Sequence, residues 1–521
     1  MKQESLYITT PIYYVNSHPH LGHAYTTVIG DFLKKYALMR GKKVFFLTGT
    51  DEHGEKIAQK ASEEGVEVKA FVDRNSDAFK TAWAKLSLEN DDFYRTSAPA
   101  HYTMVQNALQ FLMDKKEIYY SEYEGKYCVG CERFRTDQEW NAEGLCPDHL
   151  KAPVVRKEPN YFFKMSAYQN KLIEFYKNNP EAIQPSHYRN EVLAFLDQPL
   201  EDLNISRPIE RLSWGIPLPF DKKYVTYVWF DALLNYLGGL GYEGHAPSKN
   251  PKFDSLMWEN CTHLIGKDIL KTHAIYWPAM LLGLEMPLFK KIYVGGFWLT
   301  GGMKMSKSLG NVVNPLDLAD LYGADYFRYF LLSEMSFGGD ANFTLELFIN
   351  RCNADLANGL GNLTSRTLTL VHKNFGPKVP AAPQREAIDQ ELLTKIEKLP
   401  ELMVTEFDQA KFHLGIKHFS DAVAACDRYI NDTKPWALAK DPAQHPRLAV
   451  VLRTALDALA VFSVLSYSFL PKASLELQKA LGLNIDRENA WNKAQLNLLK
   501  EGAALGEIPR LFPRIEVPKP A

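Results

Sequence analysis

The chain's 521 residues hold 60 Lys and Arg against 62 Asp and Glu, a formal net charge of −2, with 46% of residues hydrophobic and 23% charged. These values are ordinary for a soluble globular protein of about three or four domains. They exclude an overall positive field as the basis of nucleic-acid binding, so any such contact has to rest on local basic or stacking surface.

No run of about eighteen apolar residues is seen, so neither a transmembrane helix nor a membrane partner is expected. The polar, acidic start from Met1 to Thr10 lacks the basic region and apolar core of a signal peptide. Three of the six cysteines crowd into residues 128–146, and Cys261, Cys352 and Cys426 are scattered in apolar surroundings. That usage fits a reducing, cytoplasmic compartment with one metal site and three packed thiols.

In chain order, Ser5–Thr10 reads as a buried strand. Pro11 and an Asn16-Ser17-His18-Pro19 turn follow, then a helix from about Gly22 to Arg40 and a second strand at Lys43–Thr48. Strand, helix, strand in about 45 residues is a βαβ unit and implies a parallel sheet with a nucleotide-type crevice at its strand ends. Residues 118–224 are rich in Tyr, Glu, Cys and Pro and read as an inserted α+β domain. The α/β pattern resumes with strands expected at Val225–Phe230, Thr262–Ile265 and Lys291–Val294. From about Thr344 apolar residues recur at three- and four-residue spacing through 350–375, 388–413, 415–431 and 447–482, an α-helical bundle. Gly376–Pro383 reads as a loop between helices, and the prolines after Pro509 argue against a final helix. The fold class is therefore α/β plus all-α. A Rossmann-like sheet (1–117 and 225–300) is split by the insertion (118–224); a loop and linking region (301–350) leads to the helical domain (351–521).

Two motifs carry phosphate chemistry. His20-Leu21-Gly22-His23 follows a strand and opens a helix, where backbone N–H groups attract phosphate and two imidazoles can stabilise growing negative charge. Lys304-Met305-Ser306-Lys307-Ser308 follows the pair Gly301-Gly302 and supplies two ammonium groups suited to a polyphosphate. Each motif alone also fits a bland alternative, a helix start or a solvated basic turn. Together, one in each half of a split α/β sheet, they change the balance.

That pair resembles the signature of class I aminoacyl-tRNA synthetases, and the chain resembles the methionyl-tRNA synthetase family in particular. Supporting segments are Thr10–Asn16, Thr48–Gly54, Tyr227–Ala232, Gly266–Ile269, Gly359–Leu363 and Lys434-Pro435-Trp436. The resemblance implies ATP-dependent activation of L-methionine, with magnesium accompanying ATP, and transfer to the 3′ end of tRNA(Met), initiator included. It places His20, Gly22, His23, Lys267, Asp268, Lys304 and Lys307 around ATP, with His20, His23, Lys304 and Lys307 catalytic. It implies that Asp51 meets the methionine ammonium, with Arg207 nearby. Ile12, Tyr14, Trp229, Tyr236, Ile269, His273 and Trp277 would form the side-chain pocket, since aromatic rings suit a thioether. Leu233 and Thr272 depart from residues found in some members. In the helical end, Asn362 and Arg366, four apart on one helix face, and Trp436 after Pro435 would read the anticodon.

A further constellation, Cys128-x-x-Cys131 followed by Cys146-x-x-His149, offers three thiolates and one imidazole at two-residue gaps, a set suited to one tetrahedral, structural zinc. Rival readings are a class I synthetase for isoleucine, valine, leucine or cysteine, a nucleotidyl transferase, and a non-catalytic RNA-binding descendant. The modest insertion, the helical third and the intact motifs argue against each in turn. A monomer is expected.

Overall fold

A computed structural model describes residues 4–128, 133–135, 140–147, 150–245, 253–304 and 313–516. Its centre is a six-stranded parallel sheet in the order Asp92–Arg95, Lys43–Asp51, Ser5–Tyr14, Cys261–Gly266, Lys291–Gly295, Ile183–Gln184. The inner strands are apolar on both faces, with Tyr7, Ile8, Phe46, Leu264 and Ile265 all buried, as a parallel sheet covered by helices requires. The order reverses between Ser5–Tyr14 and Cys261–Gly266. At such a switch point the connections leave to opposite sides and open a crevice at the strand ends. The Leu21–Met39 helix follows the first of these strands and Lys267–Ile269 the second, so the histidine motif and Lys267 both lie at the crevice.

The first strand is longer than expected and runs to Tyr14. Its register against Lys43–Asp51 shifts between Thr9 and Ile12. Pro11, which has no N–H for the ladder, lies in this bulge. Beyond it Tyr14 pairs with Asp51 at the lip of the crevice.

The insertion is an antiparallel sheet in the order Arg133–Arg135, Ile118–Cys128, Val154–Phe163, Leu203–Asn204. Helices Gln169–Asn178 and Ser186–Leu196 follow its third strand. Within the span read as insertion, Ile183–Gln184 pairs with Lys291–Gly295 and becomes the edge of the catalytic sheet. The expected strand at Val225–Phe230 is corrected: the strand is Tyr224–Thr226, and Val228–Leu233 is a helix. Its β-branched and aromatic residues look strand-like because both faces of this short helix are largely buried.

Beyond the hairpin that ends at Lys304, the Ala324–Glu334 helix packs against Leu21–Met39. Buried Arg328 lies 2.7 Å from Asp31 and donates to the Ser468 carbonyl, and Lys35 also pairs with Asp31 at 2.6 Å. Burial alone would raise the Asp31 carboxyl, but Arg328 and Lys35 hold it below its ordinary value. This cluster joins catalytic helix, linking helix and helical bundle.

The bundle contains helices Asn362–Phe375, Ala387–Phe407, Phe412–Thr433, His445–Leu465 and Pro471–Ala480. A π-helical stretch, Asn353–Gly361, leads into the first. The expected 447–482 helix is broken at Ser466–Leu470, where Pro471 starts the next one. The 388–413 helix ends at Phe407 instead, at a turn where Ala410 has positive φ. The segment Pro442–Ser468 has mean hydropathy and length sufficient to cross a membrane, contrary to the sequence expectation, but its apolar window is wholly buried inside the protein. Arg453 and Asp457 within it pair at 3.0 Å, which satisfies both charges in the core. A helix that is apolar all round belongs in the middle of a bundle. A short 3-10 helix, Ala490–Lys493, follows the bundle, and from Pro509 through Glu516 no helix forms.

Candidate active site

His20 is the N-cap of the Leu21–Met39 helix, and the two histidines cap it reciprocally. His20 Nδ1 accepts from the Gly22 amide at 3.1 Å, and His23 Nδ1 accepts from the His20 amide at 3.3 Å. Their rings stack with centroids 3.6 Å apart. Since Nδ1 is an acceptor in each ring, a neutral imidazole carries its proton on Nε2, as a donor turned from the helix. A side chain at Gly22 would meet the His20 ring at 3.1 Å, so glycine there lets the ring fold over the helix start. The helix N-terminus and two Nε2–H donors together suit a polyphosphate. Tyr13 buttresses them: its hydroxyl donates to the His23 carbonyl at 3.2 Å.

Lys267 leaves the end of the neighbouring strand and makes two 2.8 Å bonds to the carboxylate of Asp340, lying 4.5 Å over the Phe297 ring. Asp268 beside it is exposed. Asp340, unseen from sequence, also accepts the Phe297 amide at 2.8 Å. Trp298–Thr300 and Met303–Lys304 form a hairpin around Gly301 and Gly302, both with positive φ, as a two-residue turn of this hand demands. Lys304 is thus placed by its backbone on the strand that enters the lysine motif. Lys307 lies outside the described residues.

The pocket residues fall into two layers. Ile12, Tyr14, Trp229 and Ile269 are half-buried at the crevice. Below them Tyr236 donates to His273 Nε2 at 2.8 Å, while His273 Nδ1 donates to the Ile269 carbonyl at 3.0 Å. Trp229 stands edge-on to His273, with ring centroids 6.4 Å apart. Trp277 is wholly buried and donates its indole N–H to His263 Nε2 at 3.1 Å, which leaves His263 Nδ1 to donate to Thr9 at 2.7 Å. Burial pushes the His273 imidazole down to about 4 and His263 well below its ordinary range, so both are neutral at pH 7. The floor is therefore aromatic and uncharged, suited to a thioether.

Asp51 ends its strand, 7% exposed, and its charge contributes to raising the phenol of Tyr236, whose main cause is burial. The residues after it are locked. Glu52 takes two bonds from Arg95, at 2.6 and 2.8 Å, and one from Thr50 at 2.6 Å. His53 Nδ1 and His101 Nε2 both reach buried Asp231, at 2.6 and 2.5 Å. Burial would raise Asp231, yet the two facing imidazoles hold it down at about 2. Glu52, His53 and Asp231 sit inside the motifs quoted above and were legible as their members. His101, His263 and Asp340 carry no local signal, because only topology brings them in.

Arg207 lies where the insertion meets the Tyr227 turn. It is buried between Tyr227, 4.7 Å from the ring centre, and Tyr127, at 5.5 Å, and donates to Asn204 Oδ1 at 2.7 Å. It thus clamps the insertion to the strand–helix turn that presents Trp229.

At the far end of the molecule Arg366 lies 5.3 Å over Trp436 and donates to Asn431 at 3.0 Å. Asn362, Asn431 and Trp436 are exposed, Trp436 at 41%. Sequence reasoning missed Asn431, whose helix face becomes relevant only when two helices meet. In the insertion, Cys128 and Cys146 are buried, and the Leu150 amide donates to the Cys146 carbonyl at 2.7 Å. Cys131 and His149 lie outside the described residues.

The model for class I tRNA synthetases (M) matches residues 6–152 and 149–368, and that for the anticodon binding domain of methionyl tRNA ligase matches 379–519. A methionine–tRNA ligase of Caldanaerobacter subterraneus subsp. tengcongensis is 42% identical over 99% of this chain and 80% of its own length. One from Streptomyces coelicolor is 42% identical over 99% and 98%. The structure of Mycobacterium tuberculosis methionyl-tRNA synthetase in complex with methionyl-adenylate superposes with a TM-score of 0.93 at 35% identity, covering 98% of this chain and 100% of that one. With a paired-histidine helix cap and a neutral aromatic floor flanking one parallel-sheet crevice, and a helical domain of the matching kind behind it, the chain belongs to the methionyl-tRNA synthetases, class I ligases that join methionine to tRNA.

Proposed function

We propose that the crevice activates methionine by positioning and charge stabilisation, with no covalent enzyme intermediate. Methionine lies with its ammonium on Asp51 and its thioether over Tyr236, His273 and Trp277, with Ile12, Tyr14, Trp229 and Ile269 at the sides. Its carboxylate attacks the α-phosphate of ATP, which enters as the magnesium complex, and pyrophosphate leaves. His20 and His23 donate through Nε2 to the phosphates from one side; Lys304 and Lys307 close from the other. Lys267 and Asp268 hold ribose and phosphate, with Arg207 bracing the methionine side through Tyr227. The terminal ribose hydroxyl of tRNA(Met), elongator or initiator, then attacks the acyl carbon and AMP leaves. Asn362, Arg366 and Trp436 read the anticodon.

The observation that carries this reading is the reciprocal histidine cap, which forces both Nε2–H groups outward at a helix N-terminus. Methionine-dependent exchange of pyrophosphate into ATP tests it. Exchange driven by methionine, and by none of isoleucine, valine, leucine or cysteine, is the expected result; no exchange with methionine defeats it.

A structural zinc on Cys128, Cys131, Cys146 and His149 belongs to the same reading. Its support is the donor chemistry and the burial of the two described thiols, Cys128 at the end of its strand and Cys146. Four protein ligands leave no open position, so the metal would brace the insertion. A monomer in the cytoplasm completes the reading; the compartment is supported by Cys261, Cys352 and Cys426, buried thiols of the kind a reducing environment preserves.

A further inference from the structure

In the reading proposed above, two separate segments carry methionine-binding residues and form two walls of the crevice. Asp51 ends a strand of the sheet, and Trp229 lies on the short Val228–Leu233 helix. No ladder joins them. What joins them is Asp231, two residues after Trp229 and wholly buried. Its Oδ2 accepts from Nδ1 of His53, two residues after Asp51, at 2.6 Å, and its Oδ1 accepts from Nε2 of His101 at 2.5 Å. His101 stands on a third element, the Pro99–Asp114 helix. Each imidazole is held from behind by a phenol: Tyr102 meets His53 Nε2 at 2.8 Å, and Tyr94 meets His101 Nδ1 at 3.1 Å. Every lone pair or proton on the two rings is thereby engaged, and neither ring can turn without breaking two bonds.

We propose that Asp231, with His101 and His53, is a positioning device for methionine: it fixes the distance between the wall that presents Asp51 and the wall that presents Trp229. The inference rests on the methionine-binding roles assigned to those two residues above. None of the three groups touches the ATP side, where the histidine cap and Lys267 have their own separate supports. Loosening the bridge therefore acts on methionine alone. A charge-assisted bond to a buried carboxylate is about twice as strong as a neutral one, so His101 is the member whose loss is felt most clearly without touching either wall.

The test uses His101→Leu and His101→Gln in the full-length enzyme, with Asp231→Asn and Asp51→Ala alongside. Glutamine places an amide N–H near the position of imidazole Nε2, whereas leucine has no donor. In pyrophosphate exchange, His101→Leu is expected to raise the KM for methionine roughly tenfold with the KM for ATP unchanged, and His101→Gln to restore most of the loss. Asp231→Asn, which keeps the shape and removes the charge, should raise the methionine KM in the same direction. Circular dichroism and melting temperature report folding for each variant. A folded His101→Leu and a folded Asp231→Asn with wild-type methionine KM overturn the inference, as does a parallel rise in the KM for ATP, which marks a general structural effect. If His101→Leu fails to fold, the decision passes to His101→Gln against Asp231→Asn by the same two constants. Wild-type methionine KM in Asp51→Ala instead removes the reading of the pocket itself, and the inference falls with it for that separate reason.

Discussion

The amide of Leu21 donates to the carbonyl of Val313 at 3.2 Å. Leu21 lies inside the histidine motif, and Val313 leads into the Pro315–Tyr322 helix of the linking region, so that region is anchored at the start of the histidine-motif helix. Motion at that helix start would be felt in the linking region as well as at the histidines. This makes it necessary to separate the capping role of His20 from its chemical one. His20→Asn does so: asparagine is among the best N-cap residues and keeps an acceptor for the Gly22 amide, but it has no Nε2–H. Adenylate formation should slow by about 2.7–4 kcal/mol, the loss of one preorganised donor, with an unchanged melting temperature. Stopped-flow kinetics check this; a wild-type rate excludes the phosphate contact.

Trp436→Ala should cripple tRNA charging while leaving pyrophosphate exchange and thermal stability nearly intact. The indole is 41% exposed and lies under the Arg366 guanidinium rather than in the core. A buried tryptophan would lose about 3–5 kcal/mol of stability on truncation; an exposed stacking platform loses about 1–3 kcal/mol of base contact instead. Charging at limiting tRNA and a melting curve from one preparation distinguish these, and a large fall in melting temperature would favour the core.

Much of this was legible in the sequence, and the limits are physical. The βαβ start, the histidine motif and the helical end follow from local periodicity. Val225–Phe230 misled because valine, tyrosine, tryptophan and phenylalanine favour strands until tertiary burial overrides them. Arg95 on Glu52, His101 on Asp231, Asp340 on Lys267 and Asn431 on Arg366 are pairings across distant segments. No window of sequence contains both members of any of them. The edge strand Ile183–Gln184 was hidden for a simpler reason: two residues carry no periodicity.

The pH dependence of stability should contain a contribution from Asp427. Burial pushes its carboxyl up to about 6, against the opposing pull of Arg366, whose Nη1 is 3.8 Å away. Its folded value lies above the unfolded one of about 3.9. The folded chain therefore holds this proton more tightly, and stability grows as pH falls through about 6 towards 4 and is lost as pH rises through 6. Asp427→Asn imitates the protonated form. It is expected to melt higher than wild type at pH 7.5 and to flatten the dependence between pH 7 and 5. Scanning fluorimetry across that range checks it; a lower melting temperature at pH 7.5 contradicts the sign.

Elemental analysis should find about one zinc per chain. Chelation, or Cys146→Ser, should release it and open the 118–163 region to limited proteolysis before the helical bundle, because binding energy at such a site is folding energy. Fully active protein without zinc would refute the assignment.

The buried His445–Leu465 helix has a consequence for the order in which the protein is made. Helices Asn362–Phe375, Ala387–Phe407 and Phe412–Thr433 all pack on it, yet all three leave the ribosome first. At roughly 5–20 residues per second, their apolar stripes wait some seconds for the element that covers them. During that interval the nascent bundle is an open ring around a missing axle. Chains stalled with Thr433 just outside the exit tunnel should be protease-sensitive and held by chaperones, and chains stalled past Leu470 should be neither; equal protection at both stall points would show that the ring closes without its axle.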